Sequence, residues 1–253
     1  MDSVSARHAL VTGGGQGIGR AVAAALTAAG ARVTVTGRRE APLRAAVSAA
    51  DAAGFFTADV TDAGALGDGI ARAAAERGPV DILVANAGGA ESVPFAKSDA
   101  ETFRRMIDLN LMGTVNAMHA VVADMSARRF GRIVAVASTA GVKGYAYVSA
   151  YCAAKHAVVG LIRSLALEVA KKGVTVNAVC PGYTDTELMR ESIARIVAKT
   201  GRSQEAALDE FTRQNPLGRL IAPDEVAATV AYLCSDAASG ITGATVTVAG
   251  GEV

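Results

Sequence analysis

In "SAYCAAKHA", residues 149–157, a tyrosine and a lysine stand four positions apart, Tyr151 and Lys155. A free phenol titrates near ~10 and a free ammonium near ~10.4, so neither alone is reactive at neutral pH. Residues four apart on a helix share a face. An ammonium one turn from a phenol favours the phenolate, so the spacing predicts a Tyr151 pKa lowered toward working pH. A phenol tuned in that way can serve as a general acid or base. Ser138 ends the apolar run of "VASTAG", residues 136–141, and could hydrogen-bond the same substrate oxygen. Taken locally, a Tyr and a Lys on a helix surface by chance is the commoner case, and a lone serine is more often a turn former.

Such residues need elements to hold them, and the chain supplies a regular alternation. Short apolar, β-branched runs lie at 8–12, 32–36, 54–58, 80–85, 131–137, 174–179 and 244–248. Alanine-rich helical patterns fall between them, near 17–29, 40–52, 62–77, 99–127, 151–172 and 223–235. Several runs are apolar at nearly every position, as expected of strands covered on both faces. The alternation implies right-handed crossovers. The expected fold is an α/β, doubly wound Rossmann fold of about seven mostly parallel strands with helices on both faces. No linker or repeat divides residues 1–253, so one domain is expected. The exception to the rhythm is 183–222, where "ELMRESIARIVAKT" and "SQEAALDEFTRQ" predict a helical substrate lid.

Ligands in such a sheet bind beyond the carboxyl ends of the strands. The first exit, "TGGGQGIG" at 12–19, places Gly13, Gly17 and Gly19 between a strand and a helix. Glycines let the backbone approach a pyrophosphate, and the helix N-terminus supplies N–H donors. A ligand-free glycine loop is the competing reading. The second exit, "TGRRE", offers Arg38 and Arg39 where a cofactor with a free ribose 2′-hydroxyl would want a carboxylate. Two guanidiniums suit a 2′-phosphate, so NADP(H) is favoured. A solvated pair of arginines, or Glu40 serving an NAD(H) ribose, are the alternatives. At the third exit Asp59 could accept from an adenine amino group and Val60 could pack on the ring, with Asp62 better suited to cap the next helix. "ANAGG", 85–89, is small enough for backbone to lie against a flat ligand, and "PG" at 181–182 turns the chain into the lid.

Composition excludes several classes of function. Net charge is +1 and the charges are scattered, which argues against nucleic acid or an anionic membrane as partner. "MDSVSARHALV" lacks a signal-peptide apolar core, and no run of about 18 apolar residues offers a membrane span. Cys152, Cys180 and Cys234 are odd in number and far apart, as expected of buried thiols in a reducing cytoplasm. Three histidines without clustered carboxylates predict no metal site.

"TGGGQGIG", "NAG" at 86–88, Asn110, Ser138, "YCAAK" at 151–155 and "PG" at 181–182 occur in one order and spacing. Jointly they resemble the short-chain dehydrogenase/reductase family across essentially the entire chain, and 217–251 is similar to its C-terminal region. The resemblance implies that Tyr151 is the general acid/base for a ketone–alcohol pair. It implies that Lys155 lowers the Tyr151 pKa and holds the nicotinamide ribose, that Ser138 polarises the carbonyl, and that Asn110 holds a water passing protons through Lys155. Gly13, Gly17, Ile18 and Gly19 would cradle the pyrophosphate. Arg38, Arg39, Asp59, Val60, Asn86, Ala87, Gly88, Pro181, Gly182 and Thr184 would complete the cofactor site. Tyr183, Leu188 and Met189 would touch substrate. "ANAG" replaces the family's "NNAG", "AGG" its late "DGG", and Gln16 stands where some NADP users carry a basic residue. The lid length and "AAKHAVVGL" resemble members acting on hydroxybutyrate-type, polyketide or acyl thioester substrates. The expectation is a homotetrameric, cytoplasmic NADP(H)-dependent ketoreductase acting on a small ketone or 3-oxoacyl thioester. An NAD-dependent 3-hydroxyacyl or hydroxy-acid dehydrogenase is the alternative. A non-catalytic dinucleotide sensor would not need the full set of four catalytic side chains.

Overall fold

The computed structural model describes residues 4–253, with the Leu188 side chain outside the description. In chain order the strands are β1 (His8–Thr12), β2 (Arg32–Gly37), β3 (Gly54–Thr57), β4 (Ile82–Ala85), β5 (Gly131–Val136), β6 (Val174–Pro181) and β7 (Thr245–Val248). They form one sheet in the order β3-β2-β1-β4-β5-β6-β7, and every pairing is parallel. The expected mostly parallel sheet is therefore wholly parallel among the described residues.

The apolar runs become strands because both of their faces are covered. Along β1, Ala9 and Val11 point into one core and Leu10 into the other, the period-two alternation of a pleated strand. The first core is packed by α1 (Gly17–Ala28), α2 (Glu40–Ser48) and α9 (Pro223–Cys234). The second lies under α3 (Ala63–Arg77), α5 (Gly113–Arg128) and α6 (Ser149–Val169). Side chains fix several helix starts. Asp62 accepts from the Ala65 N–H at 3.0 Å, and Asp99 accepts from the Thr102 N–H at 2.8 Å to open α4 (Ala100–Ile107).

One departure from the expected elements matters for function. The pattern at 99–127 is not one helix, because a π turn over Asp108–Met112 joins α4 to α5 and carries Asn110. The lid at 183–222 holds α7 (Glu187–Thr200) and α8 (Gln204–Thr212). Its two stems are pinned together where the Ile221 N–H donates to the Tyr183 carbonyl and the Asp185 N–H to the Ile221 carbonyl, each at 2.9 Å. The strand order reverses between β1 and β4, which sets a crevice at their carboxyl ends. No helix among the described residues is long and apolar enough to cross a membrane.

Candidate active site

The loop leaving β1 is shaped for close approach by a ligand. Gly13 and Gly17 adopt φ of +66° and +51°, values that a side chain rarely tolerates. A Cβ added to Gly19 would come within 2.5 Å of Asn86 Nδ2 and closer still to the Gly13 carbonyl oxygen. Gln16 leads into α1 but its side chain makes no cap, so it leaves first-turn N–H donors unclaimed by side chains. Ile18 packs partly into the core and anchors that turn.

Thr12 and Asn86 hold this loop against the β4 exit. The Asn86 and Ala87 N–H groups both donate to Thr12 Oγ1 at 3.0 Å. Asn86 Nδ2 donates to the carbonyls of Thr12 at 3.0 Å and Gly13 at 3.3 Å. The Asn86 amide thus braces the glycine loop. Thr12 was not singled out from the sequence; the only trace of it there is a hydroxyl ending an otherwise aliphatic strand.

At the β2 exit both arginines are exposed. Arg38 stands 4.0 Å from Asp59, and Arg39 donates to Gln16 Oε1 across the mouth of the loop. Glu40 is exposed and paired with Arg44 one turn on. Asp59 Oδ1 accepts from the N–H and hydroxyl of Thr61 at 3.0 and 2.8 Å. Those hydrogen bonds hold the Asp59 carboxyl below its ordinary range, with Arg38 adding to the effect. Val60 corrects the sequence reading. It is 4% exposed and packs in the core beside Gly113, leaving almost no surface for an adenine ring.

The reacting groups converge from three elements. Ser138 follows β5 and adopts extended backbone, its Oγ accepting from the Ala140 N–H at 3.1 Å. That hydroxyl lies near enough to Tyr151, in the first turn of α6, to draw its pKa down. Lys155, one turn on and 4% exposed, puts Nζ 5.7 Å from the Tyr151 ring centroid and donates to the Val136 carbonyl at 3.0 Å. An ammonium has three donors, and only this one protein partner is found for it among the described residues. Asn110 is fully buried. Its Nδ2 donates to the carbonyls of Gly89 and Met106 at 3.0 Å, and its Oδ1 accepts from the Gly89 N–H at 3.2 Å. A Cβ on Gly88 would lie 2.7 Å from Asn110 Oδ1 and 3.5 Å from Lys155 Nζ, so the three residues meet around bare backbone.

The expected fall of the Tyr151 pKa is not found. Burial pushes it up to about 12, against the Ser138 hydrogen bond, which pulls it down. Burial likewise pushes Lys155 down to about 8. Spacing placed the two groups on one face, but removal from water is the largest influence on both. Tyr151 is therefore a phenol, ready to give a proton, with an easily discharged ammonium behind it.

Pro181 ends β6, buried, and Thr184 Oγ1 donates to the Gly182 carbonyl at 3.0 Å. The Tyr183 ring meets Tyr145 edge-on at 6.0 Å and Phe211 at 4.9 Å, tying the start of the 183–222 segment to α8. Met189 is partly buried in the first turn of α7, while the expected Leu188 contact lies outside the described residues. A Cβ on Gly17 would touch Thr186, the cap of α7, so lid and glycine loop abut. Cys152, Cys180 and Cys234 are buried and unpaired. Among the described residues no three His, Cys, Asp or Glu side chains cluster to hold a metal.

A nicotinamide dinucleotide fits these residues. The glycine positions form a cradle that any Cβ would fill, and a buried ammonium has donors to spare beside it. The short chain dehydrogenase model matches residues 7–196. The acetoacetyl-CoA reductase of Shinella zoogloeoides is 40% identical over 97% of this chain and 98% of its own length. That of Rhizobium meliloti is 41% identical, with the same shares. A crystal structure of a variant actinorhodin polyketide ketoreductase with NADPH superposes with a TM-score of 0.90 at 36% identity, covering 97% of each chain.

Proposed function

The chain belongs to the short chain dehydrogenase family of oxidoreductases, and from that premise we propose that it reduces a 3-oxoacyl thioester to the 3-hydroxy product with NADPH. The observation that carries this reading is the convergence of Ser138 and Tyr151, with buried Lys155 one turn behind. The cofactor supplies hydride when bound. Ser138 and Tyr151 both reach one substrate oxygen, so the ketone is held by two donors. As charge builds on that oxygen, the Tyr151 hydroxyl transfers its proton to it. The resulting phenolate is held by the Ser138 O–H and by the Lys155 ammonium, which the low-dielectric setting makes effective. Gly13, Gly17, Ile18 and Gly19 hold the pyrophosphate, and Gly88 with Lys155 the ribose nearest the reacting ring. Asn110 acts chiefly on the loop at 86–89, keeping it close to Lys155.

Exposed Arg38 and Arg39 at the β2 exit support NADPH over NADH. The thioester rests on the acetoacetyl-CoA reductases and on the apolar lid wall of Tyr183 and Phe211. Unpaired cysteines accord with work in the cytoplasm, and the family resemblance alone suggests a homotetramer. The test is a panel of ketones and acyl-CoA thioesters followed at the NAD(P)H absorbance, with fluorescence titration of both cofactors. Acetoacetyl-CoA reduction with tighter NADPH binding, shifted toward NADH by Arg38→Asp, is expected. Absence of thioester turnover, or equal cofactor binding, would refute the respective part.

A further inference from the structure

One carboxylate is buried beside the site with a hydrogen bond left unmade. Glu252 lies past β7, and its side chain is 1% exposed. Its Oε1 accepts from Lys143 Nζ at 3.1 Å and from the Tyr145 hydroxyl. Lys143 Nζ also donates to the Glu252 main-chain carbonyl at 3.2 Å. Its Oε2 is enclosed without a hydrogen-bond partner and packs against Gly182, where an added Cβ would come within 2.9 Å. Burying a charge so incompletely paired is costly. A glutamine would hold Tyr145 equally well, because one oxygen suffices to accept from the phenol. What a glutamine cannot do is cancel the charge of Lys143.

The position of Lys143 gives that cancellation a purpose. It lies in the segment between Ser138 and Tyr151, with Nζ 4.9 Å from the Tyr145 ring centroid and a side chain 32% exposed. Tyr145 in turn packs on Tyr183, and the Tyr145 hydroxyl is hydrogen-bonded to Thr139 Oγ1 at 2.7 Å, next to Ser138. The Lys143 ammonium is therefore held on the wall that runs from the reacting hydroxyls to the lid. Alone it would attract an anion to that wall. Paired with Glu252 at 3.1 Å, it contributes no net charge to that aromatic wall.

We propose that Glu252 is a specificity-determining residue: by neutralising Lys143 beside Tyr145, it makes the cleft select ketones that carry no carboxylate next to the acyl chain, such as thioesters, over free keto acids. The inference rests on the ketone-reductase reading above.

The experiment compares wild type, Glu252→Gln, Lys143→Met and the double variant on two substrates. One is the N-acetylcysteamine thioester of acetoacetate, which is neutral, and the other is acetoacetate. In Glu252→Gln the ratio of kcat/KM for thioester to that for acid is expected to fall at least about fivefold, chiefly through a lower KM for the acid. The double variant restores the ratio, and Lys143→Met raises it. A merely structural role lowers both substrates together and leaves the ratio fixed, which overturns the proposal. If Glu252→Gln does not fold, the rise in Lys143→Met decides alone, and an unchanged ratio overturns it. Acetoacetate binding by titration calorimetry needs no turnover. Binding at least about fivefold tighter in Glu252→Gln supports the inference, and equal binding overturns it, even if wild type reduces neither substrate and the ketone-reductase reading itself fails.

Discussion

Gly19→Ala puts one methyl group where the fold leaves no room. The added carbon would come within 2.5 Å of Asn86 Nδ2 and 2.8 Å of the Gly13 carbonyl carbon. Ordinary contacts are roughly 3.5 Å or more, so the loop or α1 must give way by about 1 Å. Neither neighbour is the loose end of a flexible chain, since Asn86 is committed to the carbonyls of Thr12 and Gly13. Overpacking of this kind costs about 1–3 kcal/mol. If the glycine loop absorbs the shift, the Kd for NADPH rises roughly 5- to 150-fold. Fluorescence titration reads the affinity, and a thermal melt reads any loss of stability. Gly67→Ala is the matched control, because nothing lies within 4 Å of its added Cβ on α3. It is expected to stabilise by up to about 1 kcal/mol with unchanged affinity. Gly19→Ala with wild-type affinity and melting temperature would refute the idea that the loop is a steric cradle.

Other consequences concern protons. Lys155, its pKa pushed down to about 8, carries its charge below that pH and loses it as pH rises through it. Reduction uses the charged form, so kcat/KM for ketone reduction should decline above pH about 8; a flat alkaline limb would contradict this. Lys155→Met should abolish turnover yet raise the melting temperature, because it removes a buried ammonium with one protein partner. His8 is buried, with Nδ1 hydrogen-bonded to the Gly78 carbonyl and Nε2 to Thr34, and burial lowers its pKa from its ordinary 6.5. Its folded pKa lies below the unfolded one, so its contribution is present above pH 6.5 and lost as pH falls through the folded value. The urea midpoint should drop on acidification below about pH 6.5, and His8→Gln should remove part of that drop.

The strands could be read from the chain because parallel, doubly covered strands must be apolar at consecutive positions, as residues 133–136 and 9–11 are. The strand exits followed, and with them the glycine loop, Ser138 and the Tyr151–Lys155 helix face. The π turn at 108–112 left no mark, since it differs from the flanking helix only in hydrogen-bond register. The direction of the Tyr151 pKa was also hidden, because it depends on removal from water, and spacing along a helix says nothing of that. Val60 was read as a ligand contact, yet the start of α5 claims it for the core. Glu252 escaped altogether. Its partners Lys143 and Tyr145 are more than a hundred residues away, and a glutamate after "GG" reads as solvated until β7 brings it back.

The assignment of Tyr151 as proton donor is tested most directly by turnover and cofactor affinity measured side by side in Tyr151→Phe. Phenylalanine keeps the ring and removes the hydroxyl that Ser138 engages. The account predicts that reduction of acetoacetyl-CoA falls at least about a hundredfold while the Kd for NADPH stays within about twofold of wild type. Activity near the wild-type level in this variant would contradict it.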